Sequence, residues 1–305
     1  MPPLAVYPLG CGARCLDRDD APKNGCSLCV RKDAPLEEIL IESNGAGACP
    51  PADRFDPRWR TVHMRIIENI LKAFTDNTLL PKKRSKGVLI LSGGMDSVTL
   101  LHFLTKHLQC EMNAVSFNYG QKHKKELKYA KKQCEELGVE HHIIDLPFVG
   151  TLFESALLSG GADIPEGHYQ AENMKQTVVP NRNMIMSSIA VGYGQSINAD
   201  FLALGVHAGD HAIYPDCREE FIEALRKAVE LSDWNPFTIF APFQRMTKIE
   251  ILEIGHQLHP PVDYAKTWTC YKGGEEACGK CGSCQERLEA FEKIGMTDPG
   301  ASLER

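Results

Sequence analysis

Residues 92–97, Ser-Gly-Gly-Met-Asp-Ser, combine groups that can bind phosphate. They follow an apolar run at 88–91 and precede an apolar periodic segment, which is typical of a turn from a strand into a helix. Glycine lets backbone N–H groups approach an anion, and the helix offers its positive N-terminus. The alternative is a structural turn in which Asp96 or Ser97 caps the helix. The segment lacks the lysine and spacing of a P-loop and also lacks G-x-G-x-x-G.

Four cysteines near the C-terminus have the spacing C-x7-C-x2-C-x2-C: Cys270, Cys278, Cys281 and Cys284. This pattern suits a closed tetrahedral zinc site with four thiolate ligands. An iron–sulfur cluster is the alternative for four cysteines. Because four protein ligands leave no open position for water, we predict a structural role in holding this segment beside the pocket.

A second cysteine cluster lies near the N-terminus at Cys11, Cys15, Cys26 and Cys29, with spacing close to that of a zinc ribbon. In a reducing compartment such clusters are more often metal sites than disulfides. We predict a second possible zinc site here, and incidental thiols are the alternative.

The elements that position these groups alternate between strand and helix from residue 88 onward. The predicted strands are 88–91, 114–117, 142–145 and 201–205, and the predicted helices are 96–107, 121–137, 184–197 and 219–231. Gly138 marks the expected end of the second helix. The alternation predicts an α/β fold, a parallel sheet with helices on both faces. Its ligand crevice lies at the carboxyl ends of the strands.

Residues 1–85 differ from the rest of the chain. They are rich in Cys, Pro, Gly and Asp, and only residues 61–74 show helical spacing of apolar side chains. We predict an N-terminal extension over 1–85 and a catalytic domain over 86–305, with the cysteine segment at 267–291.

Composition restricts the function. The net charge of −6 and the pI near 6.0 argue against a protein that coats nucleic acid. The sequence has no run long enough to span a bilayer, and its start lacks the pattern of a signal peptide. A cytoplasmic protein that contacts neither membrane nor nucleic acid is expected.

The loop resembles the SGGxDS pyrophosphate loop (PP-loop) of the adenine-nucleotide alpha hydrolases, which have a Rossmann-like (HUP) fold and cleave ATP between its alpha and beta phosphates. The resemblance implies that residues 91–97 bind ATP and its leaving pyrophosphate, with Mg²⁺ screening the charge. These residues are Leu91, Ser92, Gly93, Gly94, Met95, Asp96 and Ser97.

Five further motifs resemble, in this order, those of the 7-cyano-7-deazaguanine synthase family of queuosine biosynthesis. They are FNYGQKHKKEL at 117–127, VVPNRNMI at 178–185, GVHAGDHAIYPDCREEFIEAL at 205–225, APFQRMTKIEI at 241–251 and TWTCYKGGEEACGKCGSCQERLEAF at 267–291. With the loop they extend over roughly residues 87–298. The resemblance implies an ATP-dependent ligase that acts on 7-carboxy-7-deazaguanine and ammonia, contains zinc at the four C-terminal cysteines and forms a homodimer.

The resemblance also implies roles for individual residues. Those expected in catalysis are Asp96, Arg182, Lys248 and His123. Those expected to bind the deazaguanine are Phe117, Tyr119, Gln121, His207, Asp210, Tyr214, Asp216 and Arg218. For the lysines after His123, a solvated helix face is an equally good interpretation.

The segment 207–218 follows an apolar strand and so reaches the same edge of the sheet as the loop. Asp210 or Asp216 can accept hydrogen bonds from the base, and Tyr214 or Phe117 can stack on it. Two alternatives are a metal site of His207, Asp210 and His211 and a nucleophilic Cys217.

Two functions use the same adenylation. In the first, ammonia attacks the activated carboxylate and the nitrile follows. In the second, as in relatives from antiviral (CBASS) systems, an amine of a partner protein attacks, and the N-terminal extension docks that partner. A zinc-containing nucleic-acid-binding module is a third interpretation, which the acidic charge disfavours.

Overall fold

Five parallel strands form one sheet in a computed structural model that describes residues 81–168 and 171–300. The strand order is β3-β2-β1-β4-β5. The strands are β1 Lys86–Ile90, β2 Glu111–Asn118, β3 Glu140–Asp145, β4 Phe201–Ala203 and β5 Thr238–Phe240. The chain order reverses between β1 and β4, and open α/β sheets bind ligands at such a reversal, beyond the carboxyl ends of the strands.

Seven α-helices accompany the sheet in the described part of the chain. They are α1 Met95–His102, α2 Lys125–Leu137, α3 Pro147–Leu152, α4 Arg182–Ser196, α5 Glu219–Glu230, α6 Lys248–Gln257 and α7 Gly282–Lys293. Among these helices, none is long and apolar enough to cross a bilayer.

Alternate residues of each strand point to opposite faces of the sheet. Val88 and Leu202 belong to one buried cluster with Ala190 of α4 and Leu225 of α5. Leu89, the neighbour of Val88, is fully buried and points to the opposite face. Right-handed crossovers in this strand order place α1 and α2 on that opposite face. The predicted α/β class, with helices covering a parallel sheet, is confirmed.

The four predicted strands overlap β1 to β4, whereas the three-residue β5 was not predicted. The predicted helix 121–137 begins only at Lys125, so its start was wrong. Gln121 instead forms a bridge with Leu158, and its side-chain oxygen accepts a hydrogen bond from the Tyr119 N–H at 2.8 Å. The helix ends at Gly138 in the left-handed conformation, as predicted.

Three further helices, α3, α6 and α7, were also not predicted. The predicted helix 96–107 changes at Phe103–His107 into a π-helical turn. The predicted helix 61–74 and the cluster of Cys11, Cys15, Cys26 and Cys29 fall outside the described residues, so the N-terminal extension stays a prediction.

Candidate active site

The loop between β1 and α1 is shaped by its glycines. Gly93 has φ +85°, and a Cβ placed there would lie 2.3 Å from the carbonyl oxygen of Glu126. Gly94 is the N-cap of α1 in an extended conformation. Asp96 and Ser97 lie inside the first turn, so neither is the N-cap that the structural alternative required. The loop backbone therefore passes directly against α2 and enters a helix whose N-cap residue has no side chain.

Two serines hold the loop in this shape. The hydroxyls of Ser92 and Ser97 are 3.0 Å apart, the Gly94 N–H donates to Ser92 Oγ at 3.2 Å, and Ser97 Oγ donates to the Gly94 carbonyl at 3.2 Å. Leu91 is fully buried, and its N–H donates to the Val115 carbonyl. The loop is thus ordered by its own residues and presents Ser92, which is exposed, at its surface.

Lys248 lies at the centre of a cluster of charged side chains. Its Nζ is 3.1 Å from Asp96 Oδ2 and 2.9 Å from Glu286 Oε2, and its side chain is only 6% exposed. Burial lowers the pKa of Lys248, but the carboxylates of Asp96, Glu286 and Asp210 more than compensate and hold that pKa above its ordinary value. The ammonium group is therefore a fixed positive charge beside the loop.

Local sequence explains the position of Lys248. Thr247 and Glu250 form a capping box in which Thr247 Oγ1 accepts from the Glu250 N–H and Glu250 Oε2 accepts from the Thr247 N–H at 2.7 Å. The box starts α6 at Lys248, so the lysine leaves the first turn of the helix toward α1.

His207 is 2% exposed and faces the same cluster. Its Nδ1 accepts the Gly209 N–H at 3.0 Å, which leaves Nε2 as the protonated nitrogen of the neutral ring. Nε2 lies 3.9 Å from Asp96 Oδ2 and 3.7 Å from Asp210 Oδ2. The His207 ring therefore lies between the carboxylates of Asp96 and Asp210.

The chemistry of Asp96 fits a divalent cation. Its Oδ1 is buried and has no hydrogen-bond partner among the described residues, although Oδ2 is paired with Lys248. An unpartnered buried carboxylate oxygen is costly unless a ligand satisfies it, and Mg²⁺ prefers such oxygens. Asp96 is accordingly the residue that would hold the Mg²⁺ expected with ATP.

A second group of predicted residues surrounds Arg182, the first residue of α4. Its guanidinium carbon lies 6.0 Å from the centre of the Tyr119 ring and 5.9 Å from that of Tyr214. Burial raises the pKa of Tyr119 to about 12. The Tyr214 hydroxyl is 2.7 Å from Thr177 Oγ1 and 3.3 Å from the Tyr271 hydroxyl. Neutral phenol rings therefore surround Arg182, and we call Tyr119, Tyr214 and Tyr271 the aromatic frame.

The residues after Tyr214 mainly support this frame. Asp216 Oδ2 accepts the Asn183 N–H at 3.0 Å and so caps α4 behind Arg182. Burial raises the pKa of the Cys217 thiol, and the nearby Asp210 and Asp216 raise it further, which does not favour a nucleophilic thiolate. Arg218 is exposed, and its Nε donates to the His211 carbonyl at 2.9 Å.

The residues of the motif at 117–127 lie in three different surroundings: the hydrophobic core, the turn after β2 and the surface against the cysteine segment at 267–291 (the zinc segment). Phe117 is 4% exposed and belongs to the hydrophobic core. The Gln121 side chain donates to the Phe117 carbonyl at 3.1 Å and to Glu126 Oε1 at 3.2 Å. His123 packs on Gly273, where an added Cβ would lie 2.0 Å from the His123 Cβ. His123 therefore lies against the cysteine segment, and its catalytic role stays a prediction.

The four C-terminal cysteines are arranged so that they could hold a metal ion. Their Sγ atoms all lie within 4.8 Å of one another, and those of Cys278 and Cys284 are 3.9 Å apart. Tetrahedral Zn–S bonds of about 2.3 Å would place sulfurs about 3.8 Å apart, so the set fits zinc. No other group of three or more His, Cys, Asp or Glu side chains in the described residues could hold a metal ion, which leaves the His207, Asp210 and His211 alternative without support.

Backbone N–H groups support these sulfurs. The Cys278 N–H donates to Cys270 Sγ at 3.4 Å, and the Cys281 N–H donates to Cys278 Sγ at 3.3 Å. The neighbouring Cys270 sulfur raises the pKa of Cys281, because two thiolates this close repel each other, and a bound cation would relieve that repulsion.

The cysteine segment touches the loop between β1 and α1 directly at one point and reaches it through Lys248 at a second. The Trp268 N–H donates to the Gly93 carbonyl at 2.9 Å, and Glu286 of α7 pairs with Lys248. Arg287, the next residue, holds Asp298 through two hydrogen bonds of 2.8 Å each. The predicted role of this segment in bracing the pocket thus has a direct structural basis.

Residues 86–295, which run from β1 through α7, match the family described as Queuosine biosynthesis protein QueC. The chain belongs to the QueC family. It is similar to the protein named 7-cyano-7-deazaguanine synthase from Hahella chejuensis, with 51% identity over 225 residues that cover 74% of this chain and 95% of that relative.

Two other relatives of the same name show the same likeness to this QueC chain. That from Caldicellulosiruptor saccharolyticus is 53% identical over 214 residues, covering 70% of this chain and 94% of the relative. That from Methanoregula boonei is 51% identical, covering 70% of this chain and 97% of the relative. The relatives are matched along nearly their whole length, and the family match over residues 86–295 includes the loop, Arg182, Lys248 and the four C-terminal cysteines.

The structure adds residues to this QueC site that the sequence did not single out: Glu126, Trp268, Tyr271 and Glu286. All four lie inside the motifs at 117–127 and 267–291. Spacing offered a weak signal only for Glu286, which follows Cys284 by two residues on the same helix. Glu126, Trp268 and Tyr271 contact residues that are far away in the sequence, and a local sequence pattern does not predict such contacts.

Proposed function

We propose that this protein is a 7-cyano-7-deazaguanine synthase, an ATP-dependent ligase that converts 7-carboxy-7-deazaguanine and ammonia to the nitrile. The observation that carries the proposal is the joining of the loop residue Asp96 to Lys248 and Glu286 within a QueC chain that matches its relatives almost end to end. The reaction is that of the relatives' printed name, and the position of Lys248 beside the loop supports its adenylation step.

The substrate carboxylate must be activated because hydroxide is a poor leaving group. Transfer of AMP from ATP gives a mixed anhydride, and ammonia then displaces AMP to form the amide. A second adenylation, at the amide oxygen, allows loss of AMP and formation of the nitrile. Residues 92–97 bind the pyrophosphate that leaves in each adenylation, and Mg²⁺ held by Asp96 would supply further charge neutralisation there.

The two positive side chains have separate tasks in this proposal. Lys248 stabilises the negative charge at the phosphates from its fixed position beside the loop. Arg182, framed by Tyr119 and Tyr214, binds and orients the substrate carboxylate beside those rings. Zinc at the four cysteines has a structural role, since all its ligand positions are filled by the chain.

The proposal names ammonia as the nucleophile because a nitrile nitrogen carries no substituent. A protein amine would give a substituted amide, which cannot lose the second AMP to form the product in the relatives' name. The homodimer and the cytoplasmic location stay predictions, and light scattering of the purified protein tests the first.

Incubation of the full-length protein with ATP, ammonium, Mg²⁺ and 7-carboxy-7-deazaguanine tests the function. We expect the nitrile with two AMP and two pyrophosphate released per product. Unchanged carboxylate without AMP release would contradict the proposal. Amide attached to a co-expressed protein, detected as added intact mass, would favour the partner amine instead.

A further inference from the structure

Glu126 is an acidic residue at the base of the phosphate loop. It is the second residue of α2, and its carbonyl oxygen occupies the space that a Cβ on Gly93 would need, at 2.3 Å. This contact fixes the start of α2 against the loop. The backbone of Glu126 therefore lies directly against the loop that follows β1.

The carboxylate of Glu126 is held in position from one side. Gln121 Nε2 donates to Glu126 Oε1 at 3.2 Å, and Gln121 is itself fixed by the backbone of Phe117 and Tyr119. Glu126 is partly exposed, whereas Gln121 is 2% exposed. Gln121 thus holds one oxygen of the Glu126 carboxylate, and Glu126 keeps part of its surface exposed.

Two titratable groups face Glu126 from other elements, Arg182 at the start of α4 and Tyr119 after β2. Lys125, its neighbour on α2, is directed away: the Lys125 ammonium lies 3.8 Å from the centre of the Trp268 ring and 3.1 Å from the Gly274 carbonyl. Burial raises the pKa of Glu126 to about 7, although Gln121 and Arg182 lower it. The group can therefore gain or lose a proton near neutral pH.

The amide-forming step needs a proton acceptor, and four groups of the site are poorly suited to that task. Asp96 is paired with Lys248, and Asp216 caps α4. His207 uses Nδ1 to accept the Gly209 N–H, and burial keeps Cys217 a thiol. Of the groups named here, Glu126 is the carboxyl that is paired with neither a lysine nor a helix N-terminus, and its charge interacts with that of Arg182.

We propose that Glu126 is the general base that accepts the N–H proton when ammonia attacks the adenylated carboxylate. This inference rests on the proposed function. The ammonia lone pair forms the C–N bond, and the nitrogen becomes positively charged. One N–H proton passes to the Glu126 carboxylate, the C–O bond to AMP breaks, and AMP leaves with the electron pair. The products are the amide, AMP and neutral Glu126, which returns its proton to water through its exposed side.

Glu126→Gln in the full-length protein separates proton transfer from adenylation. We expect carboxylate-dependent exchange of pyrophosphate into ATP, measured without ammonia, to stay within about twofold of wild type. Amide formation should fall by about 10²–10⁴-fold, the usual contribution of a general base. Glu135→Gln, an exposed glutamate on the same helix, is the matched control and should leave both rates unchanged.

A pH profile provides the second readout. With rates expressed per free NH₃, the wild type should gain activity as pH rises through about 7, because Glu126 must be ionised to accept a proton. Glu126→Gln should lose this limb. Glu126→Asp should keep a limb at a shifted pH with part of the activity, and it carries the same test if the glutamine variant does not fold.

Other results would overturn the proposal. Amide formation at the wild-type rate, or an unchanged limb in Glu126→Gln, excludes Glu126 as the base. A fall in pyrophosphate exchange as large as the fall in amidation shows that Glu126 only shapes the loop. Absence of carboxylate-dependent exchange in the wild type would instead overturn the proposed function and this inference with it.

Discussion

The ammonium of Lys248 lies 2.9 Å from Glu286 Oε2 and joins the first turn of α6 to a helix of the zinc segment. The same ammonium lies 3.1 Å from Asp96 of the phosphate loop. One side chain therefore connects the loop between β1 and α1 to the segment that contains the four C-terminal cysteines. Because all three groups are largely buried, this connection is not screened by solvent as a surface ion pair would be.

Lys248→Met removes the central charge and leaves Asp96 and Glu286 without it. We expect a loss of about 10²–10³-fold in the rate of adenylation, measured by pyrophosphate exchange, because the phosphates lose a fixed positive charge. Breaking a buried pair also costs about 3–5 kcal/mol in the free energy of unfolding, measured by urea titration. Lys131→Met, at an exposed lysine, is the control. Wild-type exchange by Lys248→Met would contradict the assigned role.

Glu286→Gln keeps the shape of the side chain and removes its charge. We expect the KM for ATP to rise about tenfold, equivalent to about 1.4 kcal/mol. The reason is that Lys248 loses one of the two close partners that hold its ammonium group in position beside the loop. Bound zinc should be unchanged, since Glu286 is not a ligand. Glu289→Gln, on the same helix and 49% exposed, should change neither quantity. An unaltered KM in Glu286→Gln would show that α7 does not assist the loop.

Cys278→Ser tests the metal site. We expect the purified variant to contain one equivalent of zinc less than the wild type, measured by elemental analysis. Activity should fall about 10–100-fold because Trp268 and Glu286 lose their anchor. Cys110→Ser, at a cysteine outside the cluster, should retain the metal. Visible absorption typical of an iron–sulfur cluster in the wild type would contradict the zinc assignment.

Gly93→Ala should disrupt the loop for two reasons. Alanine is strained at φ +85°, and its Cβ would lie 2.3 Å from the Glu126 carbonyl oxygen. We expect loss of ATP binding by calorimetry together with lower thermal stability. Gly138→Ala separates the two causes, because Gly138 has φ +67° but nothing within 4 Å of an added Cβ. That control should lose about 1 kcal/mol of stability and keep normal ATP affinity.

The sequence predicted those parts of the protein that depend on local order. The apolar run before Ser92 and the four-cysteine spacing predicted a strand, the turn into α1 and a cluster of four thiols, because each signal lies within a few neighbouring residues. Helix α6 was missed although Thr247 and Glu250 form its capping box, since the preceding β5 is only three residues long and gave no clear alternation.

The sequence did not predict the contacts between residues that are far apart along the chain. Asp96 and Lys248 are separated by 152 residues, and no local pattern relates them. The placement of His123 against Gly273 likewise follows from how the zinc segment folds back over α2. The motifs contained the right residues, but only the fold divides them between phosphate loop, aromatic frame and zinc segment.

Trp268 gives the protein an optical probe of its own. Its ring is 6% exposed, stacked on Tyr129 at 5.9 Å, while its main chain holds the Gly93 carbonyl. Trp234, by contrast, is fully exposed and emits as an indole in water. These two tryptophans of the described residues are therefore spectrally distinct, and in a Trp59→Phe background the blue-shifted component of the emission follows movement of the loop without any attached dye.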